Sequence, residues 1–419
     1  MPMRPPFCPN RLCHLHVDPD SREARGLRRR RWFKRNGTYH TKVRGAVRRY
    51  KCLACRTGFS EQTFSLDYYV KRTIDYREIV ASVTTCRGVR ATARTLGCSC
   101  DSVTNRVSRY ARQCISAHSR LLAELPFTEH VVADGFESFT VSQYFPNNIH
   151  LLVGARSQFV CFSDYVSLRR SGRMTPCQKR MRAALERIYR APPQALTASF
   201  AELLAHLRDR FLVSTLHPLI LSTDNKREYR RALAMNADLA TARREGRLVH
   251  QRIDSRAART TSNPLFAVNY IDREFRKDLA EHVRETVRFA RNVNHCMERL
   301  WVYLLAHNLY KRYRINDPVA VERTHAAEAG ITEARIQGAV RGLEKRRRFL
   351  SFEHLEPALR RVWCRQQFTP LRDAAKGVLR EISKAARRGE VDLDQVRKTL
   401  GIESLTVNRR QYLPKYALA

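Results

Sequence analysis

Hydrophobic and polar positions change period several times along the chain. Residues 1 to about 65 show little helical period, and residues from about 70 to 125 read as short helices. Between about 127 and 235 the apolar residues cluster in strand-like runs: His130–Asp134, Phe139–Gln143, Ile149–Ala155, Gln158–Val166 and Leu219–Asp224, with a helical insertion around Ser199–Phe211. Beyond them, Val268, Ile271, Phe275, Leu279, Val283, Thr286 and Ala290 form one stripe, which predicts a helix over Asn269–Ala290. The tail predicts helices at Val319–Ala329, Glu333–Arg348, Pro370–Arg388 and Leu393–Leu400. The expected class is multidomain α+β, with units at 1–65, 70–125, 127–315 and a helical basic region at 317–419.

Charge sharpens this picture. Lys and Arg number 78 against 40 Asp and Glu, a formal net charge of +38. Such a chain repels itself unless a polyanion is near, so nucleic acid is the first partner to consider. Apolar runs such as Leu151–Val153 and Leu219–Leu221 are far too short to span a bilayer, and Met1–Asn10 lacks the apolar core of a secretory signal. A cytoplasmic, nucleoid-associated location without membrane contact is expected.

One helical pair has DNA-reading composition. Arg87–Gly97 predicts a short helix ending at Gly, and Cys98–Asp101 a turn. Asp101 or Ser102 can then cap a second helix running to about Cys114. Val103, Val107, Tyr110 and Ala111 form its apolar back, while Asn105, Arg106, Arg109 and Arg112 lie on its front. That is the composition of a helix-turn-helix, although helical pairs of this kind also occur in proteins that never meet DNA.

The cysteines add a metal. Cys8 and Cys13 form one close pair, Cys52 and Cys55 another, and four thiolates so arranged suit a structural Zn²⁺. Between the pairs lie Arg28, Arg29, Arg30, Arg31, Trp32, Phe33 and Lys34, which a metal-folded module would leave free to meet phosphates and bases. His14 or His16 can replace one cysteine or simply lie nearby. The other eight cysteines of the twelve read mostly as small core residues of a protein in a reducing compartment.

Acidic residues are scarce, so those in apolar settings are informative. Asp134 and Asp224 each end an apolar strand, and two such strands side by side bring two carboxylates within reach of one divalent cation. Asp272 lies within the apolar stripe of the following helix and is the expected third ligand, with Glu274 the alternate. The competing expectation is that Asp272 pairs with Arg273 or Arg276. Three acids holding two Mg²⁺ or Mn²⁺ ions suit phosphodiester displacement, with Lys226, Arg276 and Arg291 among the side chains expected to hold the DNA backbone.

These segments resemble the DDE-superfamily transposases of bacterial insertion sequences, of the insertion-sequence-one type. The resemblance spans roughly residues 1–315 and rests on GFESF after Asp134, on STDNKREY around Asp224, and on the stretch from His250 to Asn292. Asp134 to Phe139 matches the context of the family's first acid. Thr223, Asp224 and Tyr229 match the second, and Asp272-Arg273 with Arg288-Phe289-Ala290-Arg291 the third. The resemblance implies a ribonuclease H-like catalytic domain, an N-terminal zinc ribbon, DNA strand cleavage and transfer, and a homodimer or higher oligomer. It implies His250 as a residue that contacts the scissile phosphate or lies beside the site. The departures are Asp as third acid, Gly135 where an acid often follows the first Asp, and the long gap between Asp134 and Asp224. They keep a second expectation open: a DNA-binding regulator, or a domesticated and inactive descendant.

Overall fold

The computed structural model describes residues 4–374 apart from 124, 126, 127, 187, 215, 216, 255, 285, 287, 315 and 317–322, together with Arg388. The molecule is mixed α+β and contains two sheets among the described residues. The expected helix Leu393–Leu400 lies outside the described residues, as do residues 375–387 of the expected helix Pro370–Arg388.

The N-terminal part has a short helix α1 (Arg22–Arg29) and an antiparallel sheet of β1 (Phe33–Thr41), β2 (Gly45–Cys52) and β3 (Gly58–Ser60). Its small core joins Phe7, Trp32, Tyr50, Phe59 and Phe64 to three of the cysteines. Phe349 and Phe352 reach in from the far end of the chain and pack edge-on against Phe7. Strand β1 carries no fully buried residue.

Three helices follow: α2 (Tyr76–Thr84), α3 (Val89–Thr95) and α4 (Cys100–Leu122). The expected helical pair exists, but its second helix differs from expectation. It is capped by Ser99, whose side chain accepts from Ser102 N–H, and it runs for 23 residues. It is a core helix, packed on α10 (Val293–Tyr310) through a buried bond from Ser108 Oγ to Glu298 of 2.6 Å. Two of the arginines expected on its DNA-facing front are therefore buried. Arg109 donates to Leu66 O at 2.9 Å and Tyr68 O at 2.8 Å, and its guanidinium lies 3.9 Å from the Tyr68 ring centre. Arg106 donates to Arg72 O at 2.7 Å and pairs with Asp67. Half-buried Arg112 donates to Trp363 O. Only the first turns, including Asn105, stay exposed. The backbone carbonyls facing α4 need donors, and the forked guanidinium satisfies two at once.

The second sheet has the order β6-β5-β4-β7-β8. Strand β4 (Val131–Thr140) extends the first expected strand, and the second, Phe139–Gln143, is broken by a turn at Val141, which has φ 68°. It pairs antiparallel with β5 (Ser142–Gly154), and β5 pairs antiparallel with β6 (Val160–Ser167). On its other edge β4 pairs in parallel with β7 (Leu219–Asp224), which pairs in parallel with β8 (Leu248–Ile253). Helices α5 (Pro176–Glu186) and α6 (Ala195–Ser214) form the insertion before β7, and α7 (Arg227–Met235) and α8 (Ala237–Arg244) connect β7 to β8. One sheet face meets α6 and α7, where His150 of β5 contacts the Phe200 and Tyr229 rings. The other meets α9 (Phe266–Asp278), where Phe136 packs on Phe275. Both faces are covered, so these strands read as near-continuous apolar runs.

Helix α9 stops at Asp278 instead of continuing to Ala290. Leu279 turns extended, Glu281 is drawn inward to Arg299 of α10 at 2.9 Å, and His282 packs on Phe136. In the tail, Glu333–Arg348 is helical only as α12 (Glu333–Val340), preceded by α11 (His325–Glu328) and followed by α13 (Pro357–Trp363). In the basic run after α12, Arg347 stacks 4.1 Å from the Tyr68 ring, opposite the same side chain that Arg109 covers.

Because Arg109 serves two buried carbonyls and one ring, Arg109→Ala is expected to cost about 2–4 kcal/mol in denaturant melts. Exposed Asn105→Ala is expected to change stability by less than about 0.5 kcal/mol in the same melts.

Candidate functional site

Local sequence places two acids at one height. Strand β4 pairs Val131 with Leu221 and Val132 with Ser222, and two residues further on each strand stand Asp134 and Asp224. Strand β7 ends at Asp224, whose Oδ1 accepts from the backbone N–H of Lys226 at 3.1 Å. Asp134 Oδ1 accepts from its neighbour Gly135 N–H at 2.7 Å and from Tyr229 Oη at 2.9 Å. The Lys226 ammonium lies between the two carboxylates, 3.3 Å from Asp134 Oδ1 and 3.2 Å from Asp224 Oδ2.

Gly135 has a reason in this geometry. A β-carbon there would stand 1.9 Å from Asn148 Oδ1, so the buried Asn148 of β5 takes the space an acidic side chain would need.

Asp272 faces the same cleft from α9. Its Oδ1 is buried and has no hydrogen-bond partner among the described residues. Burial, followed by the nearby Asp134 charge, pushes its carboxyl up to about 8, and the charges of Arg276 and Lys226 only partly oppose this. Burial and the Asp134 charge also raise Asp224. Burial alone would lower Lys226, but the Asp134 and Asp224 charges outweigh it and hold its ammonium above the ordinary lysine range. Lys226 serves Asp134 and Asp224 but leaves the Asp272 Oδ1 without a donor among the described residues. A buried carboxylate oxygen without a donor among the described residues, beside Asp134 within β4 and Asp224 at the end of β7, fits hard oxygen-seeking divalent cations.

The cleft has a volume of about 720 Å³. Asp134, Asp224 and Asp272 all line it, as expected from the sequence, and Glu137 adds a fourth acid. Arg259, Arg273, Arg276 and Arg284 line it too, with Lys226 and Lys277. Arg276 is fixed over the Phe136 ring at 4.7 Å and donates to Glu137 O. Arg259 and Arg284 were not among the expected residues. They come from irregular segments after β8 and α9, where no periodicity marks a direction. Arg291 is exposed and does not line the cleft.

Two expectations end elsewhere. Glu274, the alternate third acid, turns away from Asp134 and Asp224 to pair with Lys277 at 2.9 Å and with Lys311, and those two cations hold it below its ordinary range despite burial. Two helical residue steps of about 100° each separate Glu274 from Asp272 on α9. His250 does not line the cleft. It lies on β8 with Nε2 2.9 Å from Thr223 Oγ1, and burial lowers it to about 4.

The four N-terminal cysteines come together as expected, with their sulfurs within 4.8 Å of one another. Cys8 and Cys55 Sγ are 3.5 Å apart and Cys13 and Cys52 Sγ 4.0 Å apart. A tetrahedron with Zn–S bonds of about 2.3 Å has edges of roughly 3.8 Å, so the cluster could hold zinc. His16 is not one of these groups. Its Nδ1 lies 2.7 Å from Cys8 O and its Nε2 2.6 Å from Ser351 Oγ, while its ring stacks on Phe352. A second close group, Glu281, His282 and Cys296, is already engaged: Glu281 with Arg299, and His282 Nδ1 with Ser138 Oγ at 2.9 Å. Arg29, Arg30, Arg31 and Lys34 are exposed beside the cysteine cluster, and the Arg28 side chain lies outside the described residues.

No helix among the described residues is long and apolar enough to cross a membrane. Compared with protein-family models and with curated proteins, the chain matches none.

The raised Asp272 carboxyl carries a pH signature. Its folded value near 8 lies above the ordinary 3.8, so the stability it contributes is complete below about pH 4 and is lost as pH rises toward 8. Without added divalent cation, Asp272→Asn is therefore expected to melt higher than the unmodified protein at pH 8, with the gap closing toward pH 4. Thermal melts across that range check it, and equal melting at pH 8 would place the ionised carboxylate in a satisfied environment.

Proposed function

We propose that this protein is a metal-dependent DNA strand-cleaving and strand-transfer enzyme, a transposase of the DDE type with three aspartates. The observation that carries the reading is Asp134 and Asp224 at matching heights on adjacent parallel strands, faced by the partnerless Asp272 oxygen in an arginine-lined cleft. The sheet order, with three antiparallel strands followed by two parallel ones, supports the reading of a ribonuclease H-like domain. On this reading the cysteine module is a zinc ribbon.

Asp134, Asp224 and Asp272 would hold Mg²⁺ or Mn²⁺. When bound, a pair of such ions supplies Lewis-acid activation of an attacking oxygen and stabilisation of a leaving one. The chain's own residues do the positioning. Tyr229 Oη and the Gly135 N–H fix the Asp134 carboxylate, and the Lys226 N–H fixes Asp224. Arg259, Arg273 and Arg284 offer guanidinium forks to the phosphates on either side of the scissile bond. Water would attack the phosphorus at the element end, breaking its P–O3′ bond to leave a 3′-hydroxyl and a 5′-phosphate; that hydroxyl would then attack a target phosphodiester, the target's own 3′-oxygen leaving as a hydroxyl. The exposed Lys34, Arg35, Lys42 and Arg49 on the β1–β2 hairpin give the zinc module a basic ribbon for the element ends. Two copies would pair two ends, in the nucleoid of the cell.

The alternative of a DNA-binding regulator drew on α4 as a recognition helix. It loses ground because Arg106 and Arg109 are buried within the protein.

The test is nicking and strand transfer with Mg²⁺ or Mn²⁺ on DNA carrying the native flanking ends. Asp224→Asn is expected to lose activity by on the order of 100-fold or more, as removal of a metal ligand should. Tight binding without product in either protein would leave a regulator. Metal analysis should also find one zinc per chain, lost in Cys52→Ser together with the β1–β3 fold.

A further inference from the structure

The cleft already contains a cation. Lys226 Nζ stands 3.3 Å from Asp134 and 3.2 Å from Asp224, between two of the carboxylates that would hold a divalent ion. It does not satisfy Asp272, whose Oδ1 keeps no partner among the described residues. Any ion entering the cleft must therefore compete with a tethered ammonium for two of its three carboxylates.

The other cations of the cleft are placed differently. Arg276 is tied to Glu137 O and to His282 O, and Lys277 to Glu274. Lys226 alone among these bridges the aspartate pair. Its backbone N–H is held by Asp224 at the start of α7, while its side chain is about a quarter exposed and passes over the Tyr229 ring. A lysine in that position has a fixed root and a mobile compact charge on a flexible stem.

We propose that Lys226 is a positioning residue that couples metal loading to DNA binding. This rests on the reading above. In free protein the ammonium neutralises Asp134 and Asp224 and weakens their hold on a divalent ion. A DNA phosphate entering the cleft gives the ammonium a second anion. It leaves the aspartates for that phosphate, and both carboxylates become available to the metal. By linkage, metal then tightens DNA binding by the same factor.

The experiment measures Mn²⁺ affinity of the full-length, zinc-replete protein by the loss of the free-ion electron spin resonance signal. It is done with and without a duplex of random sequence, with duplex alone as the blank. The expected result is weak binding by the unmodified protein alone and a gain of about 5- to 150-fold on adding DNA. Lys226→Met should bind Mn²⁺ without DNA about as tightly as the unmodified complex does, and should gain less than about twofold from DNA. Lys226→Gln repeats the comparison with a neutral polar head, and thermal melts confirm that both variants fold. Asp224→Asn should lose the protein-dependent binding. If both lysine variants keep the original affinity and coupling while Asp224→Asn loses binding, the coupling role is overturned and the metal site stands. If no protein binds Mn²⁺ beyond the duplex blank, the enzyme reading itself fails.

Discussion

Everything about the cleft depends on the parallel pairing of β4 with β7. Two hydrogen-bonded strands in that register carry Asp134 and Asp224 side by side at the end of the sheet, and like charges so close repel unless a cation lies between them. Asp272 of α9 adds a third acid in a place where burial already penalises ionisation. The protein answers with what it has: a lysine at the next turn, a tyrosine hydroxyl, two backbone N–H groups and a rim of arginines. None of these reaches the Asp272 Oδ1. On the proposed reading, a divalent cation would relieve this imbalance.

The large positive charge is spent in two ways. On the hairpin β1–β2 and around the cleft, Lys and Arg remain exposed and free to meet a polyanion. Around α4 they work as structural donors. Arg109 and Arg347 enclose Tyr68, Arg106 pairs with Asp67, and Arg120 bridges to Glu353 at 3.0 Å and to Asp20 at 2.6 Å. Through these contacts and the packing of Phe349 and Phe352 on Phe7, the segment after α12 clasps the cysteine module to the helical core. A net charge of +38 therefore overstates the surface available to nucleic acid.

Strong local signals were legible. Two apolar runs each ending in Asp announced a carboxylate pair that lines the cleft, although only Asp224 ends its strand and Asp134 lies inside β4, which continues to Thr140. The cysteine pairs announced a four-sulfur cluster, which forms. The apolar stripe with Asp272 inside it separated that acid from Glu274, because a two-residue step on a helix turns a side chain through about 200°. The weaker signals concerned amphipathic faces. The front of α4 carries the residues of a groove-reading helix, yet a second layer of protein covers it, and composition alone cannot distinguish buried arginines bonded to carbonyls from exposed ones awaiting phosphate.

By itself, then, the order of residues determined the elements whose cause is local: alternating or continuous apolar runs that make strands, the 3.6-residue stripe that starts α9, and thiol pairs spaced for a tight turn. Tertiary structure decided what depends on distant partners. It set the register that aligns Asp134 with Asp224, ended α9 at Asp278 by drawing Glu281 to Arg299, filled the space beside Gly135 with Asn148, and placed the Lys226 ammonium between two carboxylates ninety residues apart in the chain. Backbone propensity acts over a turn or two, whereas these choices arise from long-range pairing and from the need of every buried charge and polar group for a partner.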